Sequence, residues 1–252
     1  MRGQAIPRLS GQTDNGQVAV VGGLSLGSHY CPVDVALLMP KSWEDDLQRR
    51  KKAGIPDHII HRSKPEMALE MILDLHFRGI SFDYVGFDSL YGSSGSLIGE
   101  LDKASISFIG DVRENNGVYL SEPEFAVPAA EGKRGRKPKL QKADRPSVPL
   151  KEYKETLESE DFTEITFRDG TKQKISAFFH QKEVWVETDD QVDKVLKLQL
   201  IIRKDNDGTT KYSFCNMHGD TLERIAQRQG QRVFMERIFE EGKTRSAWET
   251  IR

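Results

Sequence analysis

Cysteine is almost absent from this sequence. Cys31 and Cys215 are the only two in 252 residues, and no paired spacing joins them. That excludes a disulfide-stapled secreted scaffold and fits a reducing compartment. A dominant charge sign is missing too. The formal net charge is −2, so the whole chain gives no argument for nucleic acid, and such a case must rest on local patches. Long apolar runs are also lacking. None approaches the roughly 18 residues of a membrane helix, and the opening Met1-Arg2-Gly3-Gln4 has no apolar signal core behind it. The expectation is a soluble, cytoplasmic protein with no membrane partner. Zinc-type spacing is missing as well: His58 with His61, and Cys215 with His218, find no two further ligands at suitable distances. Gly92-Ser93-Ser94-Gly95-Ser96 could cap a helix and meet a phosphate. It lacks the following lysine of a P-loop.

What is present is enough apolar material, 37%, to build a core. Gln17 to Leu26 is uncharged and β-branched and reads as a buried strand, and Val33 to Met39 as a second, stopped by Pro40. Ser42 to Lys52 reads as a polar helix with Ser42 as its cap. Pro65 to Arg78 carries apolar residues at helical spacing, opened by proline and closed by Gly79. Phe82 to Phe87 is then a strand, Ser93 to Lys103 a helix, and Ser105 to Ile109 a strand. This order predicts an α/β sheet with parallel pairs. From Pro128 to Pro149 the chain is basic and proline-punctuated, a solvated linker. Phe162–Phe167, Gln173–Phe179 and Glu183–Glu187 alternate as strands around an Asp169-Gly170 turn. Lys197–Arg203 and Lys211–Phe214 form a second hairpin. Thr221 to about Thr244 reads as one long helix.

Two constellations can carry chemistry. Asp88 closes the strand Tyr84-Val85-Gly86-Phe87, and ligands in open α/β sheets collect beyond the carboxy ends of strands. A carboxylate there can hold a hard cation. It can equally cap the next turn, and position alone leaves both readings open. Arg232, Glu236, Phe239 and Lys243 fall on one helical stripe, with Phe234, Met235 and Ile238 opposite. That stripe is either a site or an ordinary solvated face with spaced ion pairs. Lys133-Arg134-Gly135-Arg136-Lys137-Pro138 is similar to minor-groove hooks, although Lys137 separates Arg136 from the proline. Plain phosphate attraction is the simpler reading for Arg134, Arg136 and Lys137.

Arg232-x3-Glu236-x6-Lys243 resembles the closing motif of bacterial insertion-sequence DDE transposases. Tyr84-Val85-Gly86-Phe87-Asp88 followed by Leu90-Tyr91-Gly92 is similar to that family's second-aspartate motif. Further landmarks agree: Thr13 to Val20, Pro40-Lys41-Ser42-Trp43, Arg49 to Pro56, Lys64 to Leu69, and Lys211-Tyr212-Ser213-Phe214. The resemblance implies an RNase H-like mixed sheet with flanking helices. A partial catalytic core would occupy residues 1–127, a basic linker and β-rich insertion 128–217, and the closing helix 218–252. It implies Asp88 and Glu236 as catalytic carboxylates and ligands of Mg²⁺ (or Mn²⁺), with Arg232 and Lys243 on DNA. The implied partners are transposon ends and target DNA, bound by a homodimer. Two departures stand out. Gln229 replaces an aromatic residue ahead of the motif arginine. The family's first catalytic aspartate lies upstream of the matching segment, so the chain is expected to be truncated at its amino end, and at its carboxy end as well. A catalytically incomplete transposase is therefore expected, with a non-catalytic DNA-binding or regulatory remnant as the alternative.

Overall fold

The computed structural model describes residues 5–7, 13–15, 18–127, 141–169, 174–188 and 195–245, with backbone alone for 5–7, 13–15, 169 and 241–245. The chain divides into two compact units, Met1–Ser81 with Phe234–Arg252, and Phe82–Val233.

In the first unit, β1 (Ala5–Pro7) pairs antiparallel with β2 (Thr13–Asn15). β3 (Ala19–Leu26) and β4 (His29–Leu37) form an antiparallel hairpin whose turn glycine, Gly27, has φ +59°. The second strand thus starts earlier than Val33 and runs antiparallel. Gly22 and Gly23 leave room for neighbours: a Cβ on Gly22 would sit 2.6 Å from Met71 Sδ, and one on Gly23 would sit 2.6 Å from Met235 Sδ. A single 3₁₀ turn, Lys41–Trp43, follows, and then α1 (Leu47–Lys52), capped by Asp46, whose carboxylate accepts from Arg49 N at 2.9 Å. Ser42 is not the cap, because it lies inside the preceding 3₁₀ turn. Arg50 is buried and donates to the carbonyls of Pro56, Asp57 and Ile59, which fixes the loop after α1. α2 (Lys64–Phe77) matches its sequence signals closely. Ser63 and Glu66 form a reciprocal capping box, and Gly79 stops the helix at φ +77°.

The second unit is built on a six-stranded mixed sheet. β5 (Val85–Phe87) and β6 (Phe108–Val112) are parallel. β11 (Thr163–Asp169), β12 (Lys174–Glu187), β13 (Val195–Lys204) and β14 (Thr210–Cys215) are antiparallel to their neighbours. Their order is β11-β12-β13-β14-β6-β5. The two short strands expected across Gln173–Glu187 are one continuous strand. Parallel pairing among the described residues is limited to β5 with β6. Short ladders join β7 (Gly117–Val118) to β10 (Val148–Pro149) and β8 (Phe125–Ala126) to β9 (Lys142–Ala143). β13 is central and buried from Leu198 to Arg203, as its nearly unbroken apolar run requires. After α3 (Ser89–Gly92), helices α4 (Gly95–Lys103) and α5 (Leu150–Glu155) contribute the fully buried Leu97, Ile98, Leu101 and Leu150.

The expected long helix is two helices. α6 (Leu222–Gly230) is capped by Thr221 and ends at Gln231, and α7 (Val233–Arg245) begins two residues later. Ile225 and Ala226 of α6 share a buried cluster with Ile109, Phe179, Ile201 and Cys215. Gly230 brings the helix end against β11, where a Cβ would lie 2.9 Å from the Phe167 ring. All but the first residue of α7 belong to the first unit. There Phe234 stacks on Tyr30 at 5.5 Å, and Ile238 is buried while Phe239 is exposed. The mixed sheet with flanking helices is the fold class expected, and it is consistent with an RNase H-like nuclease.

Candidate active site

Asp88 stands immediately after β5, at the carboxy end of the parallel pair. Its carboxylate is exposed, and Oδ1 accepts from Leu90 N at 2.8 Å, so Asp88 is the cap of α3. The capping role read from position is therefore real. It does not exclude a second role, because one hydrogen bond leaves a carboxylate with further lone pairs. α3 is held tightly to the sheet. A Cβ on Gly92 would lie 2.1 Å from the Asp111 carbonyl oxygen, so only glycine permits that approach. Gly110 in turn lies under the Phe87 ring, 2.0 Å from where its Cβ would be. These two glycines fix Asp88 on its strand end. The half-buried Tyr91 hydroxyl has a raised pKa, through burial first and then the nearby negative charge of Asp88.

Asp111 was not singled out by the sequence reading. The strand was expected to end at Ile109, which left the acid two residues further on without a place. Phe87 aligns with Gly110 in the parallel register, so Asp88 and Asp111 are the next residues on adjacent strands. The Asp111 carboxylate is mostly buried. Ser213 Oγ donates to its Oδ1 at 2.8 Å, and Arg232 forms an ion pair with its Oδ2. Arg232, expected on DNA, thus has a protein partner and keeps 31% of its side chain exposed. Gln229, read as a departure from the motif, is buried. Its Nε2 donates to Ser213 Oγ at 2.7 Å, and its Oε1 accepts from Arg203 Nη1 at 3.1 Å.

Tyr84, in the strand segment that leads to Asp88, donates its hydroxyl to the Arg228 carbonyl at 3.2 Å. Burial pushes its pKa up to about 12, partly opposed by Arg228. The structure thus gathers Asp88, Asp111, Arg232 and the end of α6 in the second unit. Glu236 is exposed on α7 in the first unit, and Lys243 lies on the same helix, with its side chain outside the described residues. Arg134, Arg136 and Lys137 also lie outside the described residues. In the adjoining basic segment, Arg145 is already paired, its Nη2 2.6 Å from Asp144 Oδ2. Among the described residues, no three His, Cys, Asp or Glu side chains form a metal-type cluster. No helix there is long and apolar enough to cross a membrane.

Asp88 stands beyond the carboxy end of a sheet strand, where ligands collect in open α/β folds, and its oxygens suit hard cations. The sequence profile of the DDE superfamily endonucleases matches residues 4–174, more than half of the chain. The chain belongs to that superfamily. It is also similar to the probable transposase for insertion sequence element IS701 of Microchaete diplosiphon, 36% identical over 112 residues. That match covers 44% of this chain and only 26% of the relative, so it spans about a quarter of the relative's length. No solved structure matches the chain. The profile match includes Asp88 and Asp111 and stops before Arg232, Glu236 and Lys243.

Proposed function

We propose that this chain is part of an insertion-sequence DDE transposase and carries two carboxylates of its strand-transfer centre, Asp88 and Glu236. The observation that carries the reading is the exposed Asp88 carboxylate at the end of a parallel strand, inside the superfamily match. The oxygen donors suit Mg²⁺ or Mn²⁺, which prefer hard ligands. When bound, such ions supply activation of a water or 3′-hydroxyl and stabilise the leaving oxygen. Asp88 is held for that task by α3 and by the glycine contacts beneath it. Arg232 and Lys243 contact phosphate near the reacting strand, and Arg134, Arg136 and Lys137 add sequence-independent attraction. The substrates are transposon ends and target DNA, bound by a homodimer in the cytoplasm. Within residues 128–217, strands β11 to β14 continue the sheet that holds β6 and β5.

The chain is expected to bind DNA salt-dependently through these basic side chains. The test is a nicking and strand-transfer assay with Mg²⁺ or Mn²⁺ on element-end DNA, with gel retardation as the binding readout. The expected result is a retarded complex, with any cutting or joining lost in Asp88→Ala and in Glu236→Ala. Cleavage unchanged in either variant would contradict the site, and absence of any DNA binding would count against the whole proposal.

A further inference from the structure

Asp111, Arg203, Ser213, Gln229 and Arg232, drawn from three strands and the end of α6, form one chain of side-chain hydrogen bonds within the second unit. Arg203 donates to Gln229, Gln229 to Ser213, and Ser213 to Asp111. Every donor in that series points toward Asp111. At the far end Arg203 is anchored by Asp205, Nη2 to Oδ2 at 2.9 Å. Arg203, Ser213 and Gln229 are each more than nine-tenths buried. The amide orientation of Gln229 follows from its neighbours: Arg203 can only donate, and the Ser213 proton is committed to Asp111. Arg203 Nε has no hydrogen-bond partner and only an ion-pair contact with Asp205 Oδ1 at 2.9 Å. The buried network sits in a low dielectric, where its bonds polarise one another. Its output is one oriented carboxylate, Asp111, whose other oxygen grips Arg232 at the junction after α6.

We infer that Asp111 is a positioning residue. It holds the Arg232 guanidinium in one orientation, so that the exposed part of the side chain meets DNA phosphate already ordered. A free arginine loses much rotamer freedom on binding, and a fixed one has lost it beforehand. Asp111 itself does not touch DNA. The inference rests on the reading of Arg232 as a phosphate contact and adds what sets its geometry.

The charge makes the test sharp. Removing an acid beside a DNA site should tighten binding if Asp111 acts only through its field. If it positions Arg232, removal weakens binding. The experiment measures equilibrium DNA affinity against salt for the full chain and for Arg232→Gln, Asp111→Asn, the double variant and Ser213→Ala. The slope of log affinity against log salt separates a lost phosphate contact from a loss of folded protein. Asp111→Asn is expected to weaken binding by about tenfold and to reduce the salt slope by about 0.9, as Arg232→Gln does. The double variant binds no more weakly than Arg232→Gln alone. Ser213→Ala changes no charge and shifts affinity the same way by a smaller factor, so it decides the matter if Asp111→Asn does not fold. Tighter binding by Asp111→Asn, or unchanged binding by Ser213→Ala, would overturn the positioning role. Unchanged affinity and slope in Arg232→Gln would overturn the phosphate contact itself, a separate failure.

Discussion

At the scale of single residues, glycines set how closely the candidate site is built. Gly92→Ala would drive a methyl group into the Asp111 backbone carbonyl, 2.1 Å away, with no flexible side chain to yield. Overpacking of that kind costs about 1–3 kcal/mol. Gly27→Ala meets open space and suffers only its φ of +59°, a cost of about 1–2 kcal/mol. Urea unfolding reads both costs, and a DNA-binding titration should show Gly92→Ala as the one that also weakens binding, because its methyl group displaces Asp111, the partner of Arg232. Equal binding by the two would show that the approach of α3 does not set the site. Asp88 itself was legible, since an acid after a buried strand is a visible signal. Asp111 was not, because its strand runs three residues further than the apolar pattern suggested, and its partners Ser213 and Arg232 are 102 and 121 positions away.

At the scale of elements, α2 was the most legible because its start, face and stop are all local. Its capping box, Glu66 N to Ser63 Oγ and Ser63 N to Glu66 Oε2, can be tested directly. Ser63→Ala should cost about 1 kcal/mol, read as a lower thermal midpoint. The Ser63 hydrogen bonds hold the Glu66 carboxyl below its ordinary value. That contribution is present at neutral pH and is lost as pH falls through the lowered value. A variant as stable as the parent would mean that the helix start is held by packing instead. Other element ends depended on distant partners. Ser42 looked like a cap, but the local chain forms a 3₁₀ turn there and Asp46 takes the role four residues on. The break between α6 and α7 had one local sign, Gly230, whose packing against Phe167 could not be read from spacing. The extension of β4 back to His29 needed the Gly27 turn, and its antiparallel pairing was not legible because an apolar run does not disclose strand direction.

At the scale of the whole molecule, three buried or hydrogen-bonded acids tie stability to alkaline pH. Burial raises Tyr84 to about 12 and Cys215 to about 11. Burial and then the hydrogen bond to Glu187 raise Tyr119 to about 12. Folded values above the ordinary ones mean that the native state favours the protonated forms. Their contribution is complete below the unfolded values and is lost as pH rises through the folded ones. The urea midpoint should therefore fall from about pH 9 to 12, and a midpoint that rises there would refute the assignment. The same burial makes Cys215 inert. One thiol, the exposed Cys31, should react with a disulfide reagent in the native chain, and the second only after unfolding.

The central proposal is that the Asp88 carboxylate ligates a divalent ion. The most direct measurement is anomalous diffraction from crystals of the chain grown with Mn²⁺ and element-end DNA. The account predicts manganese density on the Asp88 carboxylate, whose oxygens suit a hard cation. Manganese bound only away from Asp88 would contradict it.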